Sequence, residues 1–385
     1  MTKPTVQDIF HRFYPRYLEH YSPSSQQAKV AHCIINCKTG AYGTNVSICE
    51  DCGQLEVHYN SCRNRCCPMC QALPKEKWID KRREDVLDAP YFHVVFTVPQ
   101  ELNPIIYSNQ QLLYDALYHT VSATINELTS DNKHLGAKVG YICVLHTWGS
   151  EMNYHPHIHV ILLGGGLSPN NRWRDKGEEF FLPVKVLSRV FRGKYMAELK
   201  SLYKDNYNKL EFHGSSEKYR NSYSFKELLN ICYDKDWVPH CKKTFNGAQS
   251  VINYLGKYTH RIAISNHRII RMDEDNVTYY VKDYREKGKW KELTISGVEF
   301  VKRFLMHVPP KRFVRIRHYG LLCTRSKNKH LTLCRNLLGC RKYISILKDM
   351  DAPQIIETLY GIKISVCKCC GGHLGKPQLH MPLRI

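Results

Sequence analysis

Two histidines, His157 and His159, lie two positions apart at the start of an apolar run that ends at Leu163. If this run is a β-strand, side chains at that spacing point to the same face of the sheet. Two neutral imidazoles on one face can bind one divalent metal ion. The chain has 20 histidines among 385 residues, so about one such pair is expected by chance. Only a strand held in a core would orient the pair for metal binding.

A third ligand would complete such a site. His146 ends another apolar run, and an antiparallel hairpin through residues 149–154 would bring it beside His157. We therefore predict His146 as the third metal ligand, with a purely structural role as the alternative. His155 is interpreted as an exposed or hydrogen-bonded residue at the strand start.

Tyr254 and Tyr258 are four positions apart in a segment predicted to be a short helix, so they share one helix face. Lys257 and Arg261 lie beside them and can contact a phosphate. A phenol with its ordinary pKa near 10 attacks poorly, so it needs a cation or base nearby and a metal that polarises the phosphate. These residues suit nucleophilic attack on phosphorus. The alternative is that both tyrosines pack into the core.

The 17 cysteines cluster, which indicates metal binding rather than a disulfide framework. Two Cys-x-x-Cys knuckles are predicted to form one structural zinc site, with the ligands Cys49, Cys52, Cys67 and Cys70. A second site is predicted from Cys37, Cys62 and Cys66, with free thiols as the alternative. A third knuckle, Cys367 and Cys370, resembles half of a zinc ribbon. Cys334 or Cys340 could complete it, but their apolar surroundings favour a buried thiol for both.

The charge of the chain favours a polyanionic partner. Lys and Arg number 56 against 35 Asp and Glu, a net charge of +21, and nucleic acid is the first candidate. An ordinary basic enzyme is the alternative. The densest basic stretch has the residues Lys311, Arg312, Arg315 and Arg317, interleaved with Phe313 and Tyr319. We predict that it binds DNA by phosphate contacts and base stacking, with a solvated basic edge as the alternative.

Apolar patterning predicts strands over residues 91–98, 139–145 and 157–163 and a helix over 112–128. Three glycines, 164–166, are predicted to end the third strand. The fold class is α+β, a central antiparallel sheet with flanking helices, preceded by a small helical and zinc-knuckle domain. The predicted domains are 1–75, 76–265 with an insertion at about 167–243, 266–330, and a tail at 331–385.

No stretch is apolar enough for a membrane span or a signal peptide, so we expect a cytoplasmic protein with no membrane partner. The glycine-rich phosphate loop of ATPases is absent from the sequence. Any duplex unwinding must then come from a host helicase or the replication machinery.

Several stretches together resemble rolling-circle insertion-sequence transposases of the HUH class, which is named for a His-hydrophobic-His motif. The resemblance implies a protein of a prokaryotic cell. The stretches are 61–71, 95–99, 146–148, 155–159, 254–266 and 313–320, in the same order as in that family. The resemblance covers nearly the whole chain. The joint occurrence of these stretches is far more specific than any single motif.

The resemblance implies a two-tyrosine nuclease domain that cuts single-stranded DNA, forms a 5′-phosphotyrosine link and leaves a free 3′-hydroxyl. By that analogy His157 and His159 bind Mg²⁺ or Mn²⁺, and Tyr254 and Tyr258 are the nucleophiles. The partners would be single-stranded DNA at the ends of a mobile element and a target DNA. The zinc module would grip those ends.

Two other functions remain open. A zinc-dependent DNA-binding protein without catalysis would use the histidine strand and the tyrosines only as core residues. A metal-dependent nuclease with water as its nucleophile would release free DNA ends instead of forming a protein-DNA link.

Overall fold

The computed structural model describes residues 3–177, 182–204, 210–237, 240–244, 251, 256, 263–283, 286 and 288–381. Within them three antiparallel sheets are seen, and the largest has the strand order β11-β4-β5-β3-β7, with β6 paired to β5. Its strands are β3 (Tyr91–Thr97), β4 (Lys138–Trp148), β5 (Tyr154–Leu167), β6 (Trp173–Asp175), β7 (His240–Thr244) and β11 (Ile316–Gly320). The predicted α+β class with a central antiparallel sheet is confirmed.

One face of this large sheet is covered by helices. They are α4 (Asn103–Ser108), α5 (Gln110–Ser130), α6 (Val184–Lys204) and α7 (Ser222–Tyr233). Helix α5 forms because apolar residues recur every three or four positions, from Leu113 to Leu128, and this stripe is buried against the sheet. Phe191 of α6 packs edge-on against Phe96 of β3, with ring centroids 5.0 Å apart. The segment predicted as an insertion therefore supplies part of the main core.

The opposite face carries the histidines and a second hydrophobic cluster. That cluster includes Val144, Ile161 and Leu163 from the strands. Helix α3 (Ala72–Arg83) and helix α9 (Lys327–Leu338) contribute Trp78 and Leu331 to the same cluster. Both faces of the sheet are thus covered, which explains why the strands read as nearly continuous apolar runs.

The prediction that glycines 164–166 end the third strand is wrong, because β5 continues through them to Leu167. The glycines are there because neighbours approach closely. A Cβ on Gly165 would lie 2.3 Å from the Trp173 ring, and one on Gly166 would lie 2.4 Å from the Lys138 carbonyl oxygen. Glycine in a strand interior commonly marks such an approach.

The N-terminal helices pack against residues from the distant part of the chain. Helix α1 (Val6–His20) starts with a capping box between Thr5 and Asp8, and α2 (Ser25–Ile35) follows it. Phe10 of α1 meets Phe304 of α8 (Gly297–Met306) edge to face, 5.2 Å between centroids. This core also takes in the sheet of β8 (Ile269–Met272), β9 (Asn276–Asp283) and β10 (Lys289–Ser296).

The third sheet joins the two ends of the chain. Strand β1 (Thr44–Ile48) pairs with β2 (Leu55–Tyr59) on one side and with β12 (Gln378–His380) on the other. Helix α10 (Ala352–Tyr360), in the predicted tail, packs against α3. The predicted domain boundaries are therefore crossed by shared cores. Among the described helices, none is long and apolar enough to cross a membrane.

Candidate metal centres

Strands β4 and β5 place three histidines together on one face of the large sheet. His146 lies directly opposite His157 in the antiparallel register, and His159 follows two residues later on the same face. The ring nitrogens of the three side chains that could bind a metal all lie within 4.8 Å of one another. His157 Nε2 and His159 Nε2 are 3.0 Å apart. The predicted hairpin is thus present, and it brings His146 to the pair.

Hydrogen bonds to the outer ring nitrogens orient the two strand histidines. His157 Nδ1 lies 2.7 Å from the backbone carbonyl oxygen of His155 and donates to it. A proton on Nδ1 leaves the lone pair on Nε2, which faces the cluster. The partly buried His155 ring lies 5.1 Å from the His157 ring, centroid to centroid, and is not a member of the three-histidine group.

His93 is a functional candidate that the sequence interpretation missed. It lies on β3, and its Nε2 is 2.9 Å from His159 Nδ1. His159 can donate from Nδ1 to His93, which keeps the lone pair of His159 Nε2 for the metal. The available signal was a polar side chain inside an otherwise apolar buried strand.

The cluster is held in its neutral form. Burial lowers the pKa of His157 to about 3, and the neighbouring His155 and His93 lower it further. Burial also sets the pKa of His159 well below its ordinary value. Neutral imidazoles are the form that binds metal, so the donor set suits a divalent cation. His159 keeps part of its surface accessible, whereas His146 and His157 are buried.

The hairpin that carries the histidines is fixed at its turn by the β8–β10 sheet and α8. Arg268 donates to the Ser150 carbonyl oxygen, and Arg303 donates to that of Glu151 at 3.0 Å. His307 is buried and donates from Nε2 to the Met152 carbonyl oxygen at 3.0 Å. These contacts satisfy the carbonyl groups of the turn and define the register of β4 against β5.

Trp148 and Arg315 pack beside the three-histidine group, next to His146. The Trp148 ring stacks on His146 with centroids 4.4 Å apart, and the Arg315 guanidinium lies 5.8 Å from the Trp148 ring centroid. Burial lowers the pKa of Arg315. Arg315 is therefore part of the packing around the histidines.

The basic stretch over residues 311–319 contains both buried and exposed side chains. Phe313 is 2% exposed and packs edge-on against Tyr114, so it offers no ring for base stacking. Arg317 forms an ion pair with Asp115 and lies 4.0 Å above the Tyr118 ring. Lys311 and Arg312 are the exposed basic residues of this stretch. A sequence pattern of alternating cations and aromatics does not show which of the aromatic rings are buried.

The predicted nucleophiles Tyr254 and Tyr258, with Lys257 and Arg261, lie outside the described residues. Two residues of the same segment are described. Val251 is buried in the cluster with Val144 and Ile161, on the histidine face of the sheet. A Cβ on Gly256 would lie 2.3 Å from Ile79 Cδ1 of α3, so its backbone lies against that helix.

The cysteines form two groups of four, and the grouping differs from the prediction. One group has the members Cys37, Cys62, Cys67 and Cys70; the other has Cys49, Cys52, Cys367 and Cys370. The two predicted knuckles of the N-terminal region therefore belong to different groups. The prediction was wrong because it paired knuckles that are near in sequence, whereas β12 returns the C-terminal knuckle to β1.

The first group is compact and partly buried. Cys62 Sγ and Cys70 Sγ are 3.7 Å apart, and Cys37 and Cys67 are fully buried. Hydrogen bonds from Cys62 and Cys67 lower the pKa of the Cys70 thiol. A thiolate among three further thiols is the donor set of a structural zinc site.

Cys66, Cys334 and Cys340 lie outside both groups. Cys66 is buried, and burial raises the pKa of its thiol. Cys334 is buried in the hydrophobic cluster that contains Leu331, and Cys340 packs against it. They behave as small apolar residues.

Two family models match this chain. A family model described as "Putative transposase" matches residues 140–330, and a model described as "Transposase zinc-binding domain" matches residues 9–98. The first span contains His146, His157 and His159. The second contains all four members of the first cysteine group.

Two curated relatives carry related names. The protein named "Putative transposase y4qJ" of Sinorhizobium fredii is 38% identical over 373 residues, 95% of this chain and 93% of the relative. The transposase for insertion sequence element IS801 of Pseudomonas savastanoi pv. phaseolicola is 26% identical over 302 residues, 77% of this chain and 70% of the relative.

Among solved structures, the conjugative relaxase TrwC in complex with oriT DNA, in a metal-bound form, aligns with 29% of this chain and 44% of its own. The TM-score is 0.24 and the sequence identity 16%, which is too low to assign a fold.

Proposed function

This chain belongs to a family of transposases, and from that premise we propose that it is a rolling-circle transposase of the HUH class that cleaves and rejoins single-stranded DNA through a tyrosine-DNA link. The substrates would be the ends of its own element and a target DNA. The observation that carries the proposal is the convergence of His157 Nε2 and His159 Nε2, 3.0 Å apart, with His146 beside them.

The three histidines would hold Mg²⁺ or Mn²⁺. The donor set fits, because both strand histidines have their outer ring nitrogens directed to a second partner and their Nε2 atoms directed inward. A bound divalent cation would polarise the scissile phosphate and stabilise charge on its oxygens. Because His159 is partly accessible, a phosphate can approach from that side.

We assign the nucleophile to Tyr254 or Tyr258. In cleavage the phenolate oxygen forms a bond to phosphorus, the bond from phosphorus to the 3′-oxygen breaks, and a proton completes the free 3′-hydroxyl. In rejoining, a 3′-hydroxyl of another strand attacks the same phosphorus and the tyrosine leaves. One phosphodiester is exchanged for another, so no ATP is needed.

The position of the neighbouring residues supports this assignment. Val251, three residues before Tyr254, is buried on the histidine face, and Gly256 lies against α3, which covers that face. Lys257 and Arg261 would contact the phosphate and favour the phenolate. Two tyrosines would allow two strand ends to be held at once.

The net charge of +21 supports a nucleic-acid substrate, and the zinc-binding N-terminal part would grip the element ends. A host helicase or the replication machinery would provide the single strand, because the chain lacks a nucleotide-binding loop.

The test is a cleavage assay on single-stranded DNA from the element ends, labelled in turn at each end, with Mg²⁺ or Mn²⁺. We expect a free 3′-hydroxyl on one product and a denaturation-resistant protein adduct on the 5′ end of the other. Two free ends with no adduct would favour water as the nucleophile. Binding without cleavage, in both metals, would favour a DNA-binding protein.

A further inference from the structure

The second cysteine group joins residues from opposite ends of the chain. Cys49 Sγ lies 3.5 Å from Cys370 Sγ, and Cys52 Sγ lies 3.8 Å from Cys367 Sγ, across 315 residues of sequence. A disulfide needs about 2.05 Å between sulfurs, so these are not disulfides. Four thiolates around zinc, each at about 2.3 Å, are separated by roughly 3.8 Å along the edges of a tetrahedron.

The two knuckles have the same backbone conformation. Gly53 has φ +72° and donates its amide to the Cys49 carbonyl oxygen at 3.0 Å. Gly371 has φ +78° and donates in the same way to Cys367 at 3.0 Å. Each knuckle thus reverses the chain directly after its second cysteine, at a positive φ that glycine adopts without strain. The repetition of one turn at both ends indicates a site built for a common central ligand.

Backbone amides also point at the sulfurs. The amides of Cys369 and Gly372 lie 3.4 Å from Cys367 Sγ and Cys370 Sγ respectively. Asp51 and Cys52 donate their amides to Cys49 Sγ. Amide donors stabilise negative charge on sulfur, which four neighbouring thiolates require.

The surroundings are too small to hold these strands by packing alone. The local hydrophobic cluster contains Cys49, Cys367 and Leu374, with no further buried member among the described residues. Such a module gains its folding free energy from the metal.

We propose that Cys49, Cys52, Cys367 and Cys370 bind a zinc ion that clamps the C-terminal tail to the N-terminal part of the chain. The matched family models span residues 9–98 and 140–330, so Cys367 and Cys370 lie outside both. This clamp does not depend on the nuclease activity proposed above.

The proposed zinc site would hold the C-terminal tail, residues 331–385, where it packs against α3. Between α9 and α10 the tail contacts Asp80, a buried residue of α3, through the Tyr343 hydroxyl at 2.6 Å and the Leu347 amide at 3.0 Å. Beyond α10 it reaches the zinc knuckle and ends as β12, the third strand of the β1–β2 sheet. Through Ile79, α3 also contacts Gly256 of the tyrosine segment.

The experiment measures zinc per chain and hydrogen exchange in the full-length protein. Wild type should bind two zinc ions, and the Cys367→Ser/Cys370→Ser variant should bind one. Cys369→Ser is the matched control, because Cys369 is an exposed thiol of the same knuckle outside the group. It should keep two zinc ions.

In the double variant, peptides of β12 and of β1 should lose protection, whereas peptides of α1 and α2 should keep it. Equal zinc content in the double variant and in wild type would overturn the proposal. If the double variant does not fold, Cys52→Ser supplies a second test, because Cys52 is an exposed member of the same group. This variant should bind one zinc ion fewer than wild type, and an unchanged zinc content would count against the proposed ligand set.

Discussion

His93 and His159 lie with their rings 3° from parallel and with His93 Nε2 2.9 Å from His159 Nδ1. When His159 donates from Nδ1 to His93 in this contact, the lone pair of His159 Nε2 is left for the metal. Residues that orient a ligand in this way typically account for a ten- to hundredfold effect on metal affinity.

Replacing His93 should therefore weaken binding of the proposed catalytic metal without changing the zinc content. We expect His93→Ala to reduce Mn²⁺ affinity by about ten- to hundredfold, measured by titration calorimetry, with unchanged zinc content. His93→Gln keeps an oxygen that can accept from His159 Nδ1, so it should retain more of the affinity. Equal Mn²⁺ affinity in wild type and His93→Ala would show that the contact does not orient the ligand.

The histidine cluster predicts a clear difference between neighbouring residues. His157→Ala and His146→Ala each remove a nitrogen from the group, so Mn²⁺ binding and DNA cleavage should fall to background. His155→Ala is the matched control, because His155 adjoins His157 but is not a member of the group that could bind a metal. We expect it to retain Mn²⁺ binding. Loss of Mn²⁺ binding in His155→Ala with retention in His146→Ala would mean that the ligands are assigned wrongly.

The first cysteine group predicts a similar contrast. Cys70→Ser removes a member of the group and should cost one zinc ion per chain and the exchange protection of α1 and α2. Cys66→Ala changes a buried thiol outside the group and should keep the full zinc content. Zinc content by atomic emission separates the two outcomes. A lower zinc content in Cys66→Ala would restore Cys66 as a ligand.

His307 predicts a pH dependence of stability. Burial lowers its pKa to about 4 from the ordinary 6.5, so between these values the unfolded chain binds a proton that the folded chain does not. The free energy of unfolding therefore falls as the pH falls through this window, by about 2 kcal/mol at pH 5 from this residue alone.

Urea unfolding at pH 7 and pH 5 checks this value. His307→Gln, which keeps a donor for the Met152 carbonyl oxygen, should lose about 2 kcal/mol less than wild type over the same interval. Metal loss at low pH affects both proteins and cancels in the comparison. The same pH dependence in both would contradict a neutral buried His307.

The parts of the fold that the sequence could predict depend on local periodicity. The apolar runs identify β3, β4 and β5, and the two-residue spacing of His157 and His159 places both on one face. The hairpin follows from the short connection, so His146 could be placed opposite His157. His93 was missed because a single histidine inside a strand acquires meaning only when the strand order is known.

Long-range pairing could not be predicted in this way. Cys52 and Cys367 are 315 positions apart, and no local pattern predicts that β12 pairs with β1. The spacing within each knuckle is local, but the choice of partner knuckle is made by the tertiary fold. The burial of Phe313 could not be predicted for the same reason, since it depends on Tyr114 of helix α5.

The most direct test of the proposed function is to identify the residue joined to DNA. Wild-type protein, single-stranded DNA from the element ends and Mn²⁺ should give an adduct whose peptides carry a nucleotide on Tyr254 or Tyr258. Tyr254→Phe/Tyr258→Phe should give no adduct while it still binds DNA and Mn²⁺. An undiminished adduct in that double variant, or one mapped to another residue, would contradict the account.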